Sequence, residues 1–260
     1  MKRDPEHKVS VVRNLSRREM LGLMGSAAAA VVFVGCGPEQ SGSGATTGGA
    51  ATVATGETTA ETAASCTVRP EQTEGPYFVD EMLNRSDIRV EPSDGSVSEG
   101  IPLDLTFKVS RADGSSCVPL AGALVDIWQC DALGQYSDVE DNVGKKFLRG
   151  YQVTDQSGTA QFTTIYPGWY RGRAVHIHFK IRDSPESQQG YEFTSQLYFD
   201  DALTDEIHSQ QPYAEKGERD RRNSDDGIYG GGGNELTLQL TPAGEGYAGT
   251  FDIALDTTYG

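Results

Sequence analysis

The chain has 260 residues, and its 38 Asp and Glu side chains outnumber 22 Lys and Arg, which gives a formal net charge of −16. Such an acidic surface argues against a nucleic-acid-binding protein that relies on basic side chains. Hydrophobic residues make up 37% of the chain, and no run after residue 35 has the roughly 18 apolar residues of a membrane span, which argues against a polytopic membrane protein.

Residues 1–35 have the features of an export signal. Arg17 and Arg18 precede a short apolar run at 22–34, which is the pattern of a twin-arginine signal. The run ends in Phe-Val-Gly before Cys36, which resembles a lipobox and predicts a lipid on this cysteine; cleavage at small residues without a lipid is the alternative. We therefore expect export by the twin-arginine route, with the lipid on the outer face of the cytoplasmic membrane as the only membrane attachment.

Residues 36–65 contain little besides Gly, Ala, Ser, Thr and Glu, a composition that predicts a flexible tether. The tether leads to a domain at 66–260 that holds Cys66, Cys117 and Cys130. In an oxidising compartment, three cysteines predict one disulfide and one free thiol. Cys117 and Cys130 flank a predicted strand of about 20 Å, which is beyond the reach of a disulfide. Cys66 is therefore expected to pair with Cys117 or Cys130, and both pairings remain open.

Short segments with alternating apolar side chains follow one another from residue 102 to the end of the chain. Because no convincing amphipathic helix separates them, we expect an all-β domain, an antiparallel β-sandwich with long loops. The polar stretch at 200–234 is predicted to be a long loop with one helical turn, and His208 within it to lie on the surface. The predicted strands lie at 103–109, 123–128, 147–154, 160–165, 175–181, 193–199, 236–240 and 247–255.

One predicted strand carries two histidines in a pattern that favours a metal site. His176 and His178 lie on the same face of the strand, because side chains two residues apart point the same way, while Ile177 points to the other face. Two adjacent imidazoles can bind one metal ion, and histidine is the commonest protein metal ligand. The alternative is a pair of half-exposed strand histidines with no ligand role.

Further ligands for such a metal are predicted to be tyrosines. No Asp or Glu lies between Asp155 and Asp183, so no carboxylate partner for the histidines is near in sequence, whereas Tyr170 closely precedes them. A phenolate oxygen is hard and anionic and suits ferric iron, and a trivalent cation would lower the phenol pKa far below its free value of about 10.

Four segments in a fixed order then connect the histidines to a known family. They read Thr-Glu-Gly-Pro-Tyr-Phe at 73–78, Val-Asp-Ile-Trp-Gln-Cys-Asp-Ala-Leu-Gly-Gln-Tyr-Ser at 125–137, Pro-Gly-Trp-Tyr at 167–170 with Arg-Ala-Val-His-Ile-His at 173–178, and Ser-Gln-Leu-Tyr-Phe at 195–199. In these segments the chain resembles the intradiol ring-cleavage dioxygenases, ferric enzymes that include the catechol and protocatechuate dioxygenases. The resemblance is greatest to an exported, single-domain branch, and it implies a β-sandwich.

The resemblance also implies a cofactor and a reaction. The cofactor would be a non-heme Fe(III) ion held by four side chains, Tyr136, Tyr170, His176 and His178. The substrates would be a small aromatic diol and O2, with O2 inserted between the two hydroxyl-bearing carbons to give a muconate-type diacid. In the family, the tyrosine that matches Tyr170 leaves the iron when substrate arrives. A cofactor loaded before export would also explain a twin-arginine signal.

Four further residues take expected roles from the resemblance. Arg173 and Gln196 match residues that flank the bound diol and stabilise negative charge on its ring. Tyr77 and Trp128 are expected to line the substrate pocket. Strand alternation alone would put Arg173 on the face opposite His176, three residues later, so we expect Arg173 to lie in the loop before the strand begins.

Two other functions are weighed against this one. A non-catalytic β-sandwich lipoprotein that binds a ligand or partner would not need the two tyrosines and two histidines. A hydrolase with zinc on the histidines would need a general-base carboxylate at short spacing, and the sequence has none there. The chain lacks the helical N-terminal dimerisation segment of the cytosolic catechol enzymes, so the resemblance leaves the oligomeric state open.

Overall fold

The computed structural model describes the domain in three stretches, 66–113, 116–184 and 190–256. The predicted export signal, the tether and Cys36 lie outside these described residues. Within the three stretches, no helix is both long enough and apolar enough to cross a membrane.

In these three stretches, nine strands form two sheets, and one α-helix follows the seventh strand. The elements are β1 Pro102–Asp113, β2 Ser116–Pro119, β3 Leu124–Trp128, β4 Arg149–Val153, β5 Thr159–Ile165, β6 His176–Arg182, β7 Glu192–Tyr198, α1 Asp201–His208, β8 Leu240–Ala243 and β9 Gly246–Leu255. The first sheet has the order β2-β1-β9-β8, with β5 also paired to β1, and the second has the order β4-β3-β6-β7.

The two sheets pack face to face through an apolar core, as expected for a sandwich. Alternate side chains of β1 and β6 point into this core, and Phe107, Phe179 and Phe251 meet there with ring centroids 5.3 to 6.0 Å apart. Burial of such a side chain contributes about 1.5–3 kcal/mol. The strand alternation therefore turns the other face of β6, which carries the histidines, away from the core.

The expectation of a purely antiparallel sandwich is wrong for one pair of strands. β1 and β9 run parallel, in a register from Leu103 opposite Tyr247 to Arg111 opposite Leu255. The remaining strand pairs of the described sheets are antiparallel. A hairpin forces neighbouring strands to run antiparallel, but the whole second sheet lies between β1 and β9 in the chain, so no hairpin constrains them.

The polar stretch at 200–234 is more ordered than predicted. Asp200 caps α1 by accepting hydrogen bonds from the N–H groups of Ala202 and Leu203, and 3₁₀ turns follow. The prediction of a surface His208 is wrong. This side chain is 9% exposed, because α1 packs its ring against Tyr213.

The predicted strand at 236–240 is also wrong. A 3₁₀ turn, Gly233–Leu236, occupies its start, and β8 begins only at Leu240. The apolar alternation there arises because Leu236 and Leu238 are buried from an irregular segment. Tertiary packing here overrides the period-two pattern.

A disulfide joins Cys66 to Cys117, with the two Cα atoms 5.4 Å apart, and Cys130 is a buried free thiol. The sequence left two pairings open, and the structure has the pairing of Cys66 with Cys117, which lies in β2. This bond fixes the start of the domain to the edge of the first sheet.

Candidate metal centre

His176 and His178 lie side by side on the outward face of β6, and both are 1% exposed. Their Nε2 atoms are 3.0 Å apart. The Nδ1 atom of His176 is 2.6 Å from the carbonyl oxygen of Ala174 and therefore carries the proton, which leaves Nε2 with a free lone pair. The Nδ1 atom of His178 has no partner among the described residues.

Trp128 supports His178 from behind. The two rings stack with centroids 5.0 Å apart and planes 6° apart, and Phe78 packs on Trp128 at 4.8 Å. Trp128 is 1% exposed. Trp128 therefore packs against an imidazole from a buried position, and its expected place in the substrate pocket stays a prediction.

The segment at 73–78 covers the outward face of β6. It is held there by an ion pair between Lys180 and Glu74. Gly75 lies directly against His178, since a Cβ atom at this position would be 3.2 Å from Cε1 of the imidazole. The φ angle of Gly75 is +72°, which glycine adopts without strain. Glycine in this motif thus allows the backbone to approach the histidine.

Two tyrosines approach the histidines from separate loops. The hydroxyl of Tyr170 is 3.1 Å from Nε2 of His176 and donates to its free lone pair. The ring of Tyr136 is 5.6 Å from that of Tyr170 and 6.4 Å from that of His178. Tyr136 is 4% exposed, and its hydroxyl has no hydrogen-bond partner in the described part of the chain.

Glycines bring these two loops together. A Cβ atom at Gly134 would lie 2.0 Å from the carbonyl oxygen of Trp169, and one at Gly168 would lie 2.4 Å from the carbonyl oxygen of Ala132. No side chain fits at either position without moving a backbone. The loop before Tyr136 and the loop before Tyr170 therefore pack backbone against backbone.

Burial sets the protonation of all four side chains. It lowers the pKa of His176 to about 3, with help from the nearby charge of Arg173, and lowers the pKa of His178 well below its usual range. It raises the pKa of Tyr170 to about 12 and raises the pKa of Tyr136 well above its usual range. At neutral pH the metal-free site thus has two neutral imidazoles and two protonated phenols.

These donors fit a ferric ion. Within the described residues, no group of three or more His, Cys, Asp and Glu side chains is arranged to hold a metal, so a metal bound to this histidine pair needs tyrosine oxygens. The converging Nε2 atoms and the Tyr136 hydroxyl, which has no hydrogen-bond partner among the described residues, are nitrogen and oxygen donors of the kind that such an ion binds. A trivalent cation would favour the phenolate form and reverse the effect of burial on the tyrosines.

Arg173 and Gln196 adjoin the histidines. Arg173 lies in the turn before β6, as expected, and its Nη2 donates to Gln196 Oε1 at 2.6 Å. Gln196 lies opposite His178 in the register of β6 and β7. Sequence reasoning missed Asp226, whose carboxylate accepts from Arg173 Nε at 2.8 Å, because no local pattern distinguishes it from the other acids of its polar segment.

A cavity of about 300 Å³ opens beside the tyrosines. Tyr77, Tyr136 and Tyr170 line it together with Arg171 and the loop at 139–142. Tyr77 stacks on Tyr136 with centroids 4.5 Å apart. The volume and the aromatic walls suit a small planar ring.

Comparison with known proteins links this chain to dioxygenases. A family model described as Dioxygenase matches residues 73–222. The chain is 32% identical over 167 residues to catechol 1,2-dioxygenase of Candida albicans, covering 55% of this chain and 50% of that protein. The match thus covers about half the length of this curated relative. It covers a smaller share, 36%, of the length of a chlorocatechol 1,2-dioxygenase of Pseudomonas putida.

Two solved structures are similar over most of the described domain. An intradiol ring-cleavage dioxygenase from Tetranychus urticae is 32% identical with a TM-score of 0.64, covering 75% of this chain and 96% of that one. The dioxygenase domain of a dioxygenase carbohydrate-binding protein fusion from Streptomyces sp. SirexAA-E is 32% identical with a TM-score of 0.51, covering 73% of this chain and 99% of that one.

Proposed function

Because this chain belongs to the intradiol ring-cleavage dioxygenase family, we propose that it is a non-heme Fe(III) enzyme that cleaves a small aromatic diol. It would insert O2 between the two hydroxyl-bearing carbons and release a muconate-type diacid. One observation carries the proposal: Tyr136, Tyr170, His176 and His178 converge beside a cavity that the two tyrosines line.

The histidines are prepared to bind a cation without first losing protons. Burial keeps both imidazoles neutral, and the hydrogen bond from His176 Nδ1 to the carbonyl of Ala174 fixes the ring with Nε2 as the ligand atom. Ferric iron held by these side chains would supply a Lewis acid that withdraws electron density from the diol ring.

Tyr170 is the residue suited to receive a proton from the diol. Both tyrosines line the cavity, and Tyr170 is the more exposed of the two. When no cation is bound to it, burial raises the pKa of Tyr170 to about 12, so its free phenolate is a strong proton acceptor.

Arg173 stabilises negative charge that develops on the ring. Its positive charge is close enough to influence the pKa values of Tyr170, His176 and His178. Its Nε and Nη2 atoms are both held, so the charge is fixed in place before substrate arrives. Such a preorganised charge stabilises a transition state without reorganisation during the reaction.

The test is turnover of catechol under ¹⁸O2 by the iron-loaded chain. We expect O2 uptake equal to catechol consumed and a diacid that contains both labelled oxygen atoms. Metal-free protein and zinc-loaded protein serve as controls and should be inactive. A labelled product with one or no ¹⁸O atom, or no O2 uptake with catechol and substituted catechols, would contradict the proposal. A non-catalytic ligand-binding protein would give no product at all.

A further inference from the structure

Asp226 has a buried carboxylate that no step of the proposed reaction uses. It lies in the polar segment after α1, and its side chain is 2% exposed. Its Oδ2 atom accepts hydrogen bonds from Arg173 Nε and from the backbone N–H of Ala174, both at 2.8 Å. Its Oδ1 atom accepts from the backbone N–H of Ile228 at 2.7 Å. The carboxylate is therefore held on both sides and in turn holds the Nε edge of the guanidinium.

The guanidinium extends this arrangement to Gln196. Arg173 Nη2 donates to Gln196 Oε1 at 2.6 Å. With Oε1 held by this donor, the amide nitrogen of Gln196 donates to the carbonyl oxygen of Thr73 at 2.8 Å. Asp226, Arg173, Gln196 and Thr73 thus form one hydrogen-bonded chain that reaches the segment covering the histidines.

From these contacts we propose that Asp226 is a positioning residue for Arg173 and, through Arg173, for Gln196; this inference rests on the proposed function. A guanidinium presents its donors in a rigid plane, so contacts at Nε and Nη2 fix the direction of the whole group. Without Asp226, the Arg173 side chain regains rotamers that no longer face the diol. A misplacement of about 1 Å can lower a rate by about 10²-fold.

Two explanations of the role of Asp226, one based on its charge and one on its positioning of Arg173, predict opposite effects of its removal on the rate. The carboxylate partly cancels the positive charge of Arg173. If charge alone mattered, its removal would leave Arg173 better able to stabilise an anionic ring, and the rate would rise. If Asp226 positions Arg173, the same change lowers the rate. The sign of the effect therefore separates the two explanations.

The test is a double-mutant cycle on the iron-loaded full chain, with wild type, Asp226→Asn, Arg173→Ala and the double variant compared by kcat/KM for catechol per bound iron. We expect Asp226→Asn to lower kcat/KM by about 10- to 100-fold, mainly through kcat. In the Arg173→Ala background the loss should be less than about threefold. Equal losses in both backgrounds, no loss in either, or a higher rate would overturn the proposal.

Asp205→Asn is the matched control. Asp205 lies in the same polar stretch and pairs with Arg219 Nη2 at 2.8 Å, but it has no contact with Arg173 among the described residues. Its substitution removes a more exposed Asp–Arg ion pair from the same polar stretch, and kcat/KM should stay within about twofold of wild type. A loss as large as that of Asp226→Asn would mean that any damage to this segment lowers activity, which would overturn the proposal.

One further measurement does not depend on turnover, and another does not depend on the folding of Asp226→Asn. Crystal structures of wild type and Asp226→Asn should show that Arg173 leaves Gln196 Oε1 in the variant. A retained contact would overturn the proposal, whereas an inactive wild type would contradict only the proposed function.

If Asp226→Asn does not fold, Arg173→Lys replaces it, because one ammonium cannot reproduce both guanidinium contacts. We expect it to lose about 10- to 100-fold, and a wild-type rate would overturn the proposal.

Discussion

The Nε2 atoms of His176 and His178 face each other across 3.0 Å on one face of a strand. The hydroxyl of Tyr170 already donates to the lone pair of His176, and burial disfavours protonation of either ring. No charged side chain of the described residues lies between the two rings. The proposed metal ion would use this arrangement, since one cation can accept lone pairs from both imidazoles at once.

The first prediction is that His178→Ala and Tyr136→Phe each lose iron. Each change removes one ligand atom from a site that has few others, so iron content measured per chain should fall well below that of wild type. The matched control is Tyr166→Phe. It removes the hydroxyl of another buried tyrosine, and this hydroxyl is hydrogen-bonded to Thr204, which is not part of the proposed iron site. This control should keep its iron and its visible absorption. Full iron occupancy in Tyr136→Phe would exclude Tyr136 as a ligand.

The second prediction compares two glycines with nearly the same backbone. Gly134 and Gly122 have φ angles of +79° and +83°, so an alanine costs about 1–2 kcal/mol of strain at either position. Only at Gly134 would the new Cβ lie 2.0 Å from the carbonyl oxygen of Trp169; at Gly122 no heavy atom of the described residues is within 4 Å.

Gly134→Ala should therefore lower the unfolding free energy more than Gly122→Ala and should weaken iron binding, because it separates the Tyr136 and Tyr170 loops. Chemical denaturation and iron titration measure the two effects. Equal losses of stability, with iron affinity unchanged in both variants, would show that the close approach of the loops is not needed for the site.

Strand β6, which carries the two histidines, could be predicted from the sequence because the pattern that marks it lies within the strand itself. Apolar side chains at Ile177, Phe179 and Ile181 alternate with polar ones, and a strand with one face in a core must follow this period. The same reasoning predicts that Arg173 lies before the strand, where the structure has it. Local pattern thus suffices for features determined within about ten residues of chain.

The features that were missed depend on contacts between distant segments. Asp226 meets Arg173 across 53 positions of sequence, and no local pattern marks it. His208 is buried because α1 packs onto Tyr213 and the carbonyl of Pro167, although most of its sequence neighbours are polar. The parallel pairing of the first and last strands likewise depends on how the sheets assemble. Such contacts leave no signal in composition or periodicity.

The third prediction concerns the pH dependence of stability. Burial lowers the pKa of His208 below its usual value of 6.5. In the unfolded chain the ring takes up a proton as the pH falls below 6.5, while in the folded protein it does so only at a lower pH, so His208 costs stability as the pH falls below 6.5 and not above it. The slope contributed by one such histidine is at most about 1.4 kcal/mol per pH unit.

His208→Phe keeps a ring against Tyr213 but cannot titrate. The difference in unfolding free energy between wild type and His208→Phe should therefore shift in favour of the variant as the pH is lowered from 7 through the acidic range. Urea denaturation at a series of pH values measures this difference. A difference that stays constant with pH would show that His208 is protonated in the folded protein to the same extent as in the unfolded chain.

The fourth prediction concerns export. We expect the paired change of Arg17 and Arg18 to Lys to retain the chain in the cytoplasm, because a twin-arginine signal is read through both arginines. Cys36→Ala should release the exported domain from the membrane fraction, because it removes the site of the lipid. Fractionation of cells with an antibody to the domain measures both. If the Cys36 variant still sediments with membranes, the apolar run itself is the anchor and lipidation at Cys36 is wrong.

The fifth prediction separates Arg173 from the iron ligands. Arg173 donates to Asp226 and Gln196 and lies in the turn before β6, so Arg173→Ala should retain iron and still shift its visible spectrum when catechol binds. Turnover should nevertheless fall by about 10²–10³-fold, the effect of losing one preorganised charge donor. Steady-state O2 uptake over a catechol series, normalised to iron content, measures this loss. If the iron-replete variant works at the wild-type rate, Arg173 is only an ion-pair partner of Asp226, and the charge that stabilises the ring has another source.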